Sequence, residues 1–277
     1  MPEKIDAHHH LWQYDKKNYG WIDQNMRVLR RDFLPADLET EMRSAGMDGA
    51  VAVQARQTLS ETAWLLDLAD QSSFIRGVVG WAPIASENFS ADLDHLHSCR
   101  KLKGLRHVIQ DEPDDNFILD PSFNRGIARL KDTGLVYDIL IFERHLPAAI
   151  HFVDRHPRQT FVLDHVAKPR IRERVMDPWR CNIAELAKRD NVYCKISGMV
   201  TEADWVGWRQ EDLWPYLEVV LKVFGPQRLM VGSDWPVCLL ATSYIGWFEV
   251  LNDFLGKLAV TERERIFGGT ASEVYGL

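Results

Sequence analysis

The sequence predicts an α/β protein, a single (β/α)8 barrel in which eight parallel strands alternate with helices. Short β-rich runs alternate with longer amphipathic segments along all 277 residues, and a barrel of this kind typically needs about 250 residues. No linker or low-complexity stretch interrupts the alternation, so we expect residues 1–277 to form one domain. A doubly wound open sheet is the alternative, but no Gly-x-Gly-x-x-Gly follows a predicted strand.

The predicted elements follow from the apolar periodicity and from residues that start or stop helices. The predicted strands are residues 4–12, 48–56, 75–83, 103–109, 135–142, 160–166, 191–197 and 228–234. The predicted helices are residues 60–72, 88–99, 122–133, 145–156, 181–190, 211–224, 244–256 and 262–267. Ser60 and Thr261 are the expected N-caps of two of these helices. Gly46, Gly134 and Gly225 are the expected C-caps.

Composition and charge exclude two classes of partner. Hydrophobic residues make up 46% and charged residues 26% of the chain, and the formal net charge is −7. Proteins that bind nucleic acids usually carry basic faces, so we expect no nucleic-acid partner. No apolar run approaches the roughly 20 residues of a membrane span, and no signal peptide precedes the first predicted strand, so we expect no membrane partner.

The cysteine pattern favours a reducing compartment. Cys99, Cys181, Cys194 and Cys238 are scattered and form no C-x-x-C pair. Reduced, buried thiols in a cytoplasmic protein are the expectation from this pattern. The sequence leaves open whether the protein is a monomer or a homo-oligomer.

Two histidines near the N-terminus are the first functional signal. His8 and His10 lie two residues apart in a predicted strand, so their imidazoles should project to the same side while His9 faces the other way. A pair of imidazoles on one face suits a metal site or the polarisation of a carbonyl group. A polar N-terminal extension or a tag fragment is the alternative, but Ile5 and Leu11 flank the histidines as in a buried strand.

Polar residues recur at the carboxyl ends of the other predicted strands, where barrel enzymes place their sites. These residues, strand by strand, are Gln54 and Arg56, Trp81, Arg106 and His107, Asp138, Asp164 and His165, Lys195, and Asp234 with Trp235. Charged side chains are rarely buried without a partner, so their recurrence at strand ends favours a functional site over a hydrophobic core. Arg106 and His107 are adjacent, so only one of them should point straight inward. Asp138 lies earlier in its strand and would serve either to orient Arg106 or Lys195 or to touch the substrate.

Long segments after the predicted strands could cover the mouth of the barrel. Residues 13–33 carry Trp21 after the first strand, and residues 198–210 carry two further tryptophans after the seventh. Together with Trp12 and Trp235 at strand ends, these indoles suggest a pocket. The acidic run 111–115 we expect to be a surface loop without a role.

Several blocks of the sequence resemble the amidohydrolase superfamily, and in particular its sugar-lactonase branch, over nearly the full chain. The resemblance is carried by Ile5-Asp6-Ala7-His8-His9-His10-Leu11-Trp12, Gly104-Leu105-Arg106-His107, Leu163-Asp164-His165-Val166-Ala167-Lys168-Pro169, Lys195-Ile196-Ser197-Gly198 and Gly232-Ser233-Asp234-Trp235-Pro236. Longer blocks resemble the L-fuconolactonases: Phe142-Glu143-Arg144-His145-Leu146-Pro147, Val200-Thr201-Glu202-Ala203-Asp204-Trp205 and the run from Phe224 to Met230.

The resemblance implies hydrolysis of a sugar lactone, such as an L-fucono-lactone, to the aldonic acid. It implies that Asp234 is the general base, and a carboxylate in a desolvated mouth takes up a proton more readily than one in water. His8, His10, His165 or a metal ion would stabilise the carbonyl oxygen, and His107 would do so or protonate the departing hydroxyl. The residues expected to bind the substrate are Gln54, Arg56, Trp81, Arg106 and Lys195, with the indoles of Trp12, Trp21 and Trp235.

The metal content expected from this resemblance is low. Many amidohydrolases hold two ions bridged by a modified lysine at the end of strand 4, where this chain has Arg106 and His107. We expect at most one divalent ion, such as zinc, on His8, His10, His165 and Asp234, and no obligatory cofactor.

Two rival functions are weighed against the lactonase. A metal-dependent nuclease on the same barrel would need a carboxylate ligand from strand 4 and further histidines, which the sequence does not offer at these positions. A metal-dependent decarboxylase would act on a planar aromatic acid, which the hydroxyl-binding residues fit less well. A catalytically silent barrel used for binding would not need a general base such as Asp234.

Overall fold

Eight parallel strands form one sheet in the order β1 to β8 in the computed structural model, which describes residues 2–277. Their bounds are β1 Ile5–His9, β2 Gly49–Val53, β3 Ile75–Gly80, β4 Leu102–Val108, β5 Val136–Leu140, β6 Phe161–Leu163, β7 Val192–Ile196 and β8 Leu229–Val231. Helices surround the sheet, so the predicted (β/α)8 barrel is confirmed. Seven strands lie inside their predicted segments and are shorter, because the chain leaves the barrel soon after the residues that line its mouth. β4 has the predicted length but begins one residue earlier than predicted.

The helices largely fall where the amphipathic pattern predicts them. Their bounds are α1 Pro35–Ala45, α2 Leu59–Gln71, α3 Phe89–His97, α4 Pro121–Ile127, α5 Leu146–Arg155, α6 Trp179–Leu186, α7 Gln210–Phe224, α8 Tyr244–Leu255, α9 Val260–Glu264 and α10 Thr270–Tyr275. α1 was not predicted from the sequence, although Gly46 does end it in the left-handed conformation that glycine adopts without strain. A single π-turn at 265–269 joins α9 to α10.

Two predicted N-caps are wrong. The side chain of Thr58, and not Ser60, accepts the backbone N–H of Glu61 at the start of α2. At the start of α9 the carboxylate of Glu262 accepts the N–H of Ala259, so Thr261 is not the cap. In each case the cap residue lies two positions earlier than predicted. At α9 the acidic side chain that closes the cap is Glu262 rather than Glu264.

The barrel closes between β1 and β8, next to its mouth. His9 forms a parallel bridge with Trp235, and the N–H of His10 donates to the Trp235 carbonyl over 2.6 Å. The N–H of Asp234 donates in turn to the His8 carbonyl over 2.8 Å. These bonds fix the end of β1 against the residues after β8, so side chains distant in sequence meet where the barrel closes.

The core has an outer and an inner part. The outer part lies between the strands and the helices, and the inner one fills the lower barrel with Ile5, Ala7, Val51, Val53, Val79, Val136, Val162 and Met230, closed from below by Ala271 and Tyr275 of α10. A register shift between Asp6 and His9 lets His8 follow Ala7 into the barrel interior. Apolar residues therefore fill the base of the barrel, and charged residues lie above them.

Within residues 2–277, no helix combines the length and the apolar character that crossing a bilayer requires.

Candidate active site

A cavity of about 700 Å³ opens at the carboxyl ends of the strands. Seven of the residues expected at the site line it: His10, Trp21, Gln54, Arg56, Arg106, His165 and Asp234. The strand-end pattern places these side chains together because parallel strands all end at the same rim of a barrel. The volume lies in the range of pockets that bind small molecules.

Asp234 lies at the centre of three imidazoles. Its Oδ1 is 3.4 Å from Nε2 of His10 and 3.9 Å from Nε2 of both His8 and His165. All four side chains are buried, with the Asp234 carboxylate 7% exposed. The backbone of Asp234 is left-handed (φ 55°), a conformation that costs a non-glycine residue about 1–2 kcal/mol. The fold thus holds this carboxylate in a strained position, as functional sites often do.

The second ring nitrogen of each imidazole is held by a group of its own. Nδ1 of His10 lies 2.8 Å from the Val53 carbonyl, and Nδ1 of His165 lies 2.8 Å from Oγ of Ser197. Nδ1 of His8 lies 3.3 Å from both Asp164 Oδ1 and Nζ of Lys195. A carbonyl can only accept, so Nδ1 of His10 carries the hydrogen and its Nε2 presents a lone pair toward Asp234.

These residues fit a metal ion. A lone pair of His10 facing a carboxylate oxygen at 3.4 Å is favourable only with a proton or a cation between them. Imidazoles whose outer nitrogen is hydrogen-bonded are the usual ligands of zinc. Candidate ligand atoms of His8, His10 and Asp234 all lie within 4.8 Å of one another. Nε2 of His8 is also 3.3 Å from Nη1 of Arg106, so it can serve that guanidinium or an ion.

The protonation states follow from burial. Burial lowers the pKa of His165 to about 4 and that of His8 well below its usual value, so both imidazoles are neutral at pH 7. Burial alone would raise the pKa of Asp234, but His165, His10 and the charge of Lys168 together bring it below the ordinary value of an aspartate. The expectation of a carboxylate that protonates more readily is therefore wrong in direction.

Lys195 lies beneath the cavity and does not line it, contrary to its expected role in binding. Its ammonium is fully buried, 2.5 Å from Asp138 Oδ2 and 3.1 Å from Asp164 Oδ1. Arg106 donates to the other oxygen of Asp164 over 2.9 Å, and Tyr275 donates to Asp138 over 2.9 Å. The two carboxylates balance the charges of Lys195 and Arg106. These four side chains form a buried charged layer directly beneath His8. Asp138 orients Lys195, one of the two roles weighed for it.

His165 is presented by an unusual turn. Four consecutive residues, His165 to Lys168, have positive φ between 47° and 60°. The indole of Trp179 holds the turn by donating to the Val166 carbonyl over 2.7 Å. Gly198, after β7, packs against the ring, and a Cβ there would lie 2.5 Å from Nδ1 of His165. Glycine is therefore required at this position because the histidine ring occupies the space.

His107 and Trp81 are turned away from the cavity. Arg106 takes the inward position on β4, so its neighbour His107 stacks on Phe117 with ring centroids 5.0 Å apart. Nε2 of His107 lies 2.6 Å from Glu112, and its Nδ1 accepts the indole N–H of Trp81 over 3.3 Å. Neither residue lines the cavity, so the structure does not support the expected roles of His107 in catalysis and Trp81 in binding.

Trp12 and Trp235 are core residues beneath the loop after β1. Both are buried, at 0% and 1% exposure, and both pack edge-on against Phe33. Trp12 donates its indole N–H to the Arg31 carbonyl. Neither lines the cavity, which contradicts their expected contact with substrate. Only Trp21 of the three expected indoles does so, and it is 43% exposed.

The long loops after the strands contribute more side chains to the cavity than the sequence predicts. Segment 13–33 supplies Trp21 and Met26, and segment 198–210 supplies Glu202 and Trp205. Asp111 also lines the cavity, so run 111–115 does not lie wholly on the outer surface as expected. Lys168 and Phe142 were missed as site residues, although both lie in the motif blocks that carried the family resemblance.

Known proteins resemble this chain over its whole length. Residues 5–277 match the family model described as "Amidohydrolase". An L-fucono-1,5-lactonase of Burkholderia multivorans is 42% identical, over 99% of this chain and 96% of the relative. A second L-fucono-1,5-lactonase, of Burkholderia ambifaria, is 39% identical with the same coverage. A crystal structure of a Burkholderia multivorans amidohydrolase with bound zinc is 42% identical and superposes with a TM-score of 0.94 over 99% of both chains.

Proposed function

The chain belongs to the amidohydrolase family, and we propose that within this family it is a lactone hydrolase that opens a sugar lactone, L-fucono-1,5-lactone or a related aldonolactone, to the aldonic acid. One observation carries the proposal: an ionised carboxylate, Asp234, lies among three neutral or hydrogen-bonded imidazoles in a small-molecule cavity. The full-length similarity to two L-fucono-1,5-lactonases supports the choice of lactone.

In the first step Asp234 removes a proton from water. Nε2 of His10 is fixed as an acceptor by the Val53 carbonyl, so a water between His10 and Asp234 donates one hydrogen to each. Its oxygen then points into the cavity and attacks the lactone carbonyl carbon. The proton passes to Asp234 as the new C–O bond forms, and the carbonyl oxygen becomes negatively charged.

Stabilisation of that oxygen falls to His165 and Arg106. The hydroxyl of Ser197 can donate to Nδ1 of His165, which leaves Nε2–H of the neutral ring free to donate to the oxyanion. A preorganised donor of this kind is worth on the order of 3 kcal/mol. The ring C–O bond then breaks, and the proton held by Asp234 passes to the departing oxygen, which restores the carboxylate.

We propose that at most one divalent ion, such as zinc, binds to His8, His10, His165 and Asp234. When bound, it would polarise the carbonyl group and acidify water. The residues themselves supply the base, the acceptor and the donor described above, so turnover should survive loss of the ion.

The substrate's hydroxyl groups meet polar residues on the cavity wall. The amide nitrogen of Gln54 is buried and lacks a hydrogen-bond partner within residues 2–277, so it can donate to a ligand. Arg56 lines the same wall, and the indoles of Trp21 and Trp205 offer apolar faces for a sugar ring. These groups together suit a small, hydroxylated and uncharged ring.

The remaining features of the proposal concern the whole protein. We propose that residues 1–277 form one catalytic domain, that the protein is cytoplasmic, and that its partner is the sugar lactone. Self-association into a homo-oligomer is compatible with this proposal. Four free cysteines support the location, although Cys181 is exposed and only Cys194 and Cys238 are buried, which corrects the expectation that all are buried.

A proton-release assay with a pH indicator tests the function. The panel contains the L-fucono, L-galactono, D-arabinono and L-rhamnono lactones, each assayed with the wild type and with Asp234→Asn. We expect the wild type to release acid rapidly from the L-fucono lactone and the variant to release none. No turnover across the panel would refute a sugar lactonase and direct the search to lactones without hydroxyl groups.

A further inference from the structure

We propose that Lys168 and Glu202 form a clamp for two adjacent hydroxyl groups of the substrate. The inference rests on the proposed function, because it assigns the part of the same cavity that recognises a vicinal diol. Lys168 follows β6 and Glu202 follows β7, and both side chains line the cavity beside His165 and Asp234.

The two head groups are close but do not satisfy each other. Nζ of Lys168 lies 4.0 Å from Oε1 of Glu202, which is an electrostatic pair but too long for a hydrogen bond. Their side chains are only 17% and 23% exposed. No hydrogen bond from another side chain within residues 2–277 engages either head group. Three N–H donors and a carboxylate acceptor are therefore held in the cavity wall without hydrogen-bond partners.

The scaffold keeps both groups in place. The ammonium of Lys168 lies 5.4 Å from the ring centroid of Phe142, which follows β5, and its backbone belongs to the left-handed turn of His165. The carbonyl of Glu202 accepts the N–H of Arg172 over 2.9 Å, which ties the segment after β7 to the segment after β6. Three neighbouring strand ends thus fix the pair.

A vicinal diol matches this arrangement. Adjacent ring hydroxyls place two oxygens about 3 Å apart, so one can accept from the ammonium while the other donates to the carboxylate. Burial of Glu202 raises the pKa of its carboxyl, and the charge of Lys168 acts in the opposite direction.

The test compares Lys168→Met and Glu202→Gln with the wild type on two lactones. One is the aldonolactone that the wild type hydrolyses best, and the other is tetrahydropyran-2-one, which has the lactone but no hydroxyl. We expect KM for the aldonolactone to rise about 10- to 100-fold in each variant, the usual worth of a hydrogen bond to a charged group. On tetrahydropyran-2-one, which has no hydroxyl group for the clamp, KM should rise far less in each variant than it does on the aldonolactone.

Arg174→Gln is the matched control. Arg174 lies in the same segment after β6 and pairs with Asp212 over 3.0 Å, but its side chain is 73% exposed and does not line the cavity. Loss of this ion pair should leave both lactones unaffected. Equal losses on both lactones in Lys168→Met and Glu202→Gln, or no loss on either, would overturn the clamp.

Binding measurements separate failure of the clamp from failure of the proposed function. Titration calorimetry with an aldonate and with 5-hydroxypentanoate requires no turnover. If the wild type hydrolyses no lactone, the proposed function fails, but the clamp still predicts that the aldonate binds at least tenfold more tightly and that both variants lose this preference. Equal affinities of the wild type for the two acids would refute the clamp.

Discussion

Nε2 of His10 faces Oδ1 of Asp234 across 3.4 Å, while Nδ1 of the same ring lies 2.8 Å from the Val53 carbonyl. Because the carbonyl fixes the hydrogen on Nδ1, two acceptor atoms face each other at the centre of the site. A proton or a cation shared by the two atoms makes this separation favourable, and a water beside them can donate to both. We propose this pair as the place where the attacking water molecule is held and deprotonated.

Asp234→Asn should abolish turnover without abolishing binding. The amide cannot take a proton from water at neutral pH, so kcat should fall by about 10³-fold or more, in line with loss of a general base. Proton release measures the rate, and calorimetry with the aldonate measures affinity. A variant that keeps a tenth of the wild-type rate would exclude Asp234 as the base.

His107→Gln and His165→Gln should differ sharply. His107 faces Phe117 and Glu112 outside the cavity, whereas His165 points at Asp234. We expect kcat/KM to stay within about threefold in His107→Gln and to fall by about 100-fold or more in His165→Gln, the worth of a preorganised donor. Comparable losses in both variants would restore a catalytic role to His107.

Removal of metal should leave turnover in place. Elemental analysis of the purified protein is expected to give no more than one zinc per chain. After exhaustive chelation the rate should persist, because Asp234, His10 and His165 supply the base, the acceptor and the donor themselves, and Arg106 already lies 3.3 Å from Nε2 of His8. Complete inactivation that added zinc reverses would contradict this and make the ion essential.

Lys195→Met should damage stability more than substrate affinity. The ammonium is fully buried between Asp138 and Asp164, and its removal leaves one carboxylate of the layer uncompensated. Breaking a buried pair in this way costs about 3–5 kcal/mol, which urea denaturation measures. If the variant instead unfolds like the wild type and shows only a raised KM, Lys195 contacts substrate after all.

Glu61→Gln should remove a pH dependence of stability. Burial raises the pKa of Glu61 from 4.5 to about 7, and one carboxylate oxygen accepts the N–H groups of Ala55 and Arg56 while the other has no partner within residues 2–277. The folded state therefore holds a proton that the unfolded state releases between pH 4.5 and 7. Wild-type stability should fall as pH rises through this window, by roughly 3 kcal/mol in total from this group.

The variant lacks this titration, so its stability relative to the wild type should rise between pH 5 and pH 8. Denaturation curves of both proteins at several pH values measure the difference. A stability difference that does not change with pH, or a variant that loses stability relative to the wild type as pH rises, would show that Glu61 is ionised in the folded state.

The sequence determined the barrel and the rim on which the site is built. Alternation of short apolar runs with amphipathic segments locates all eight strands, because strand and helix impose different periods on the side chains. Polar residues at strand ends then identify Asp234, His10 and His165, since parallel strands of a barrel end at one rim. None of these inferences requires knowledge of side-chain packing.

Only the tertiary structure decided which neighbours point inward and what they meet there. Arg106 and His107 are adjacent and both polar, and the inward position of Arg106 depends on Asp164, which comes from another strand. Lys195 resembles a binding residue in sequence but meets Asp138 below the cavity. Lys168 reaches the cavity only through a left-handed turn. These outcomes depend on contacts between distant segments, which local periodicity does not encode.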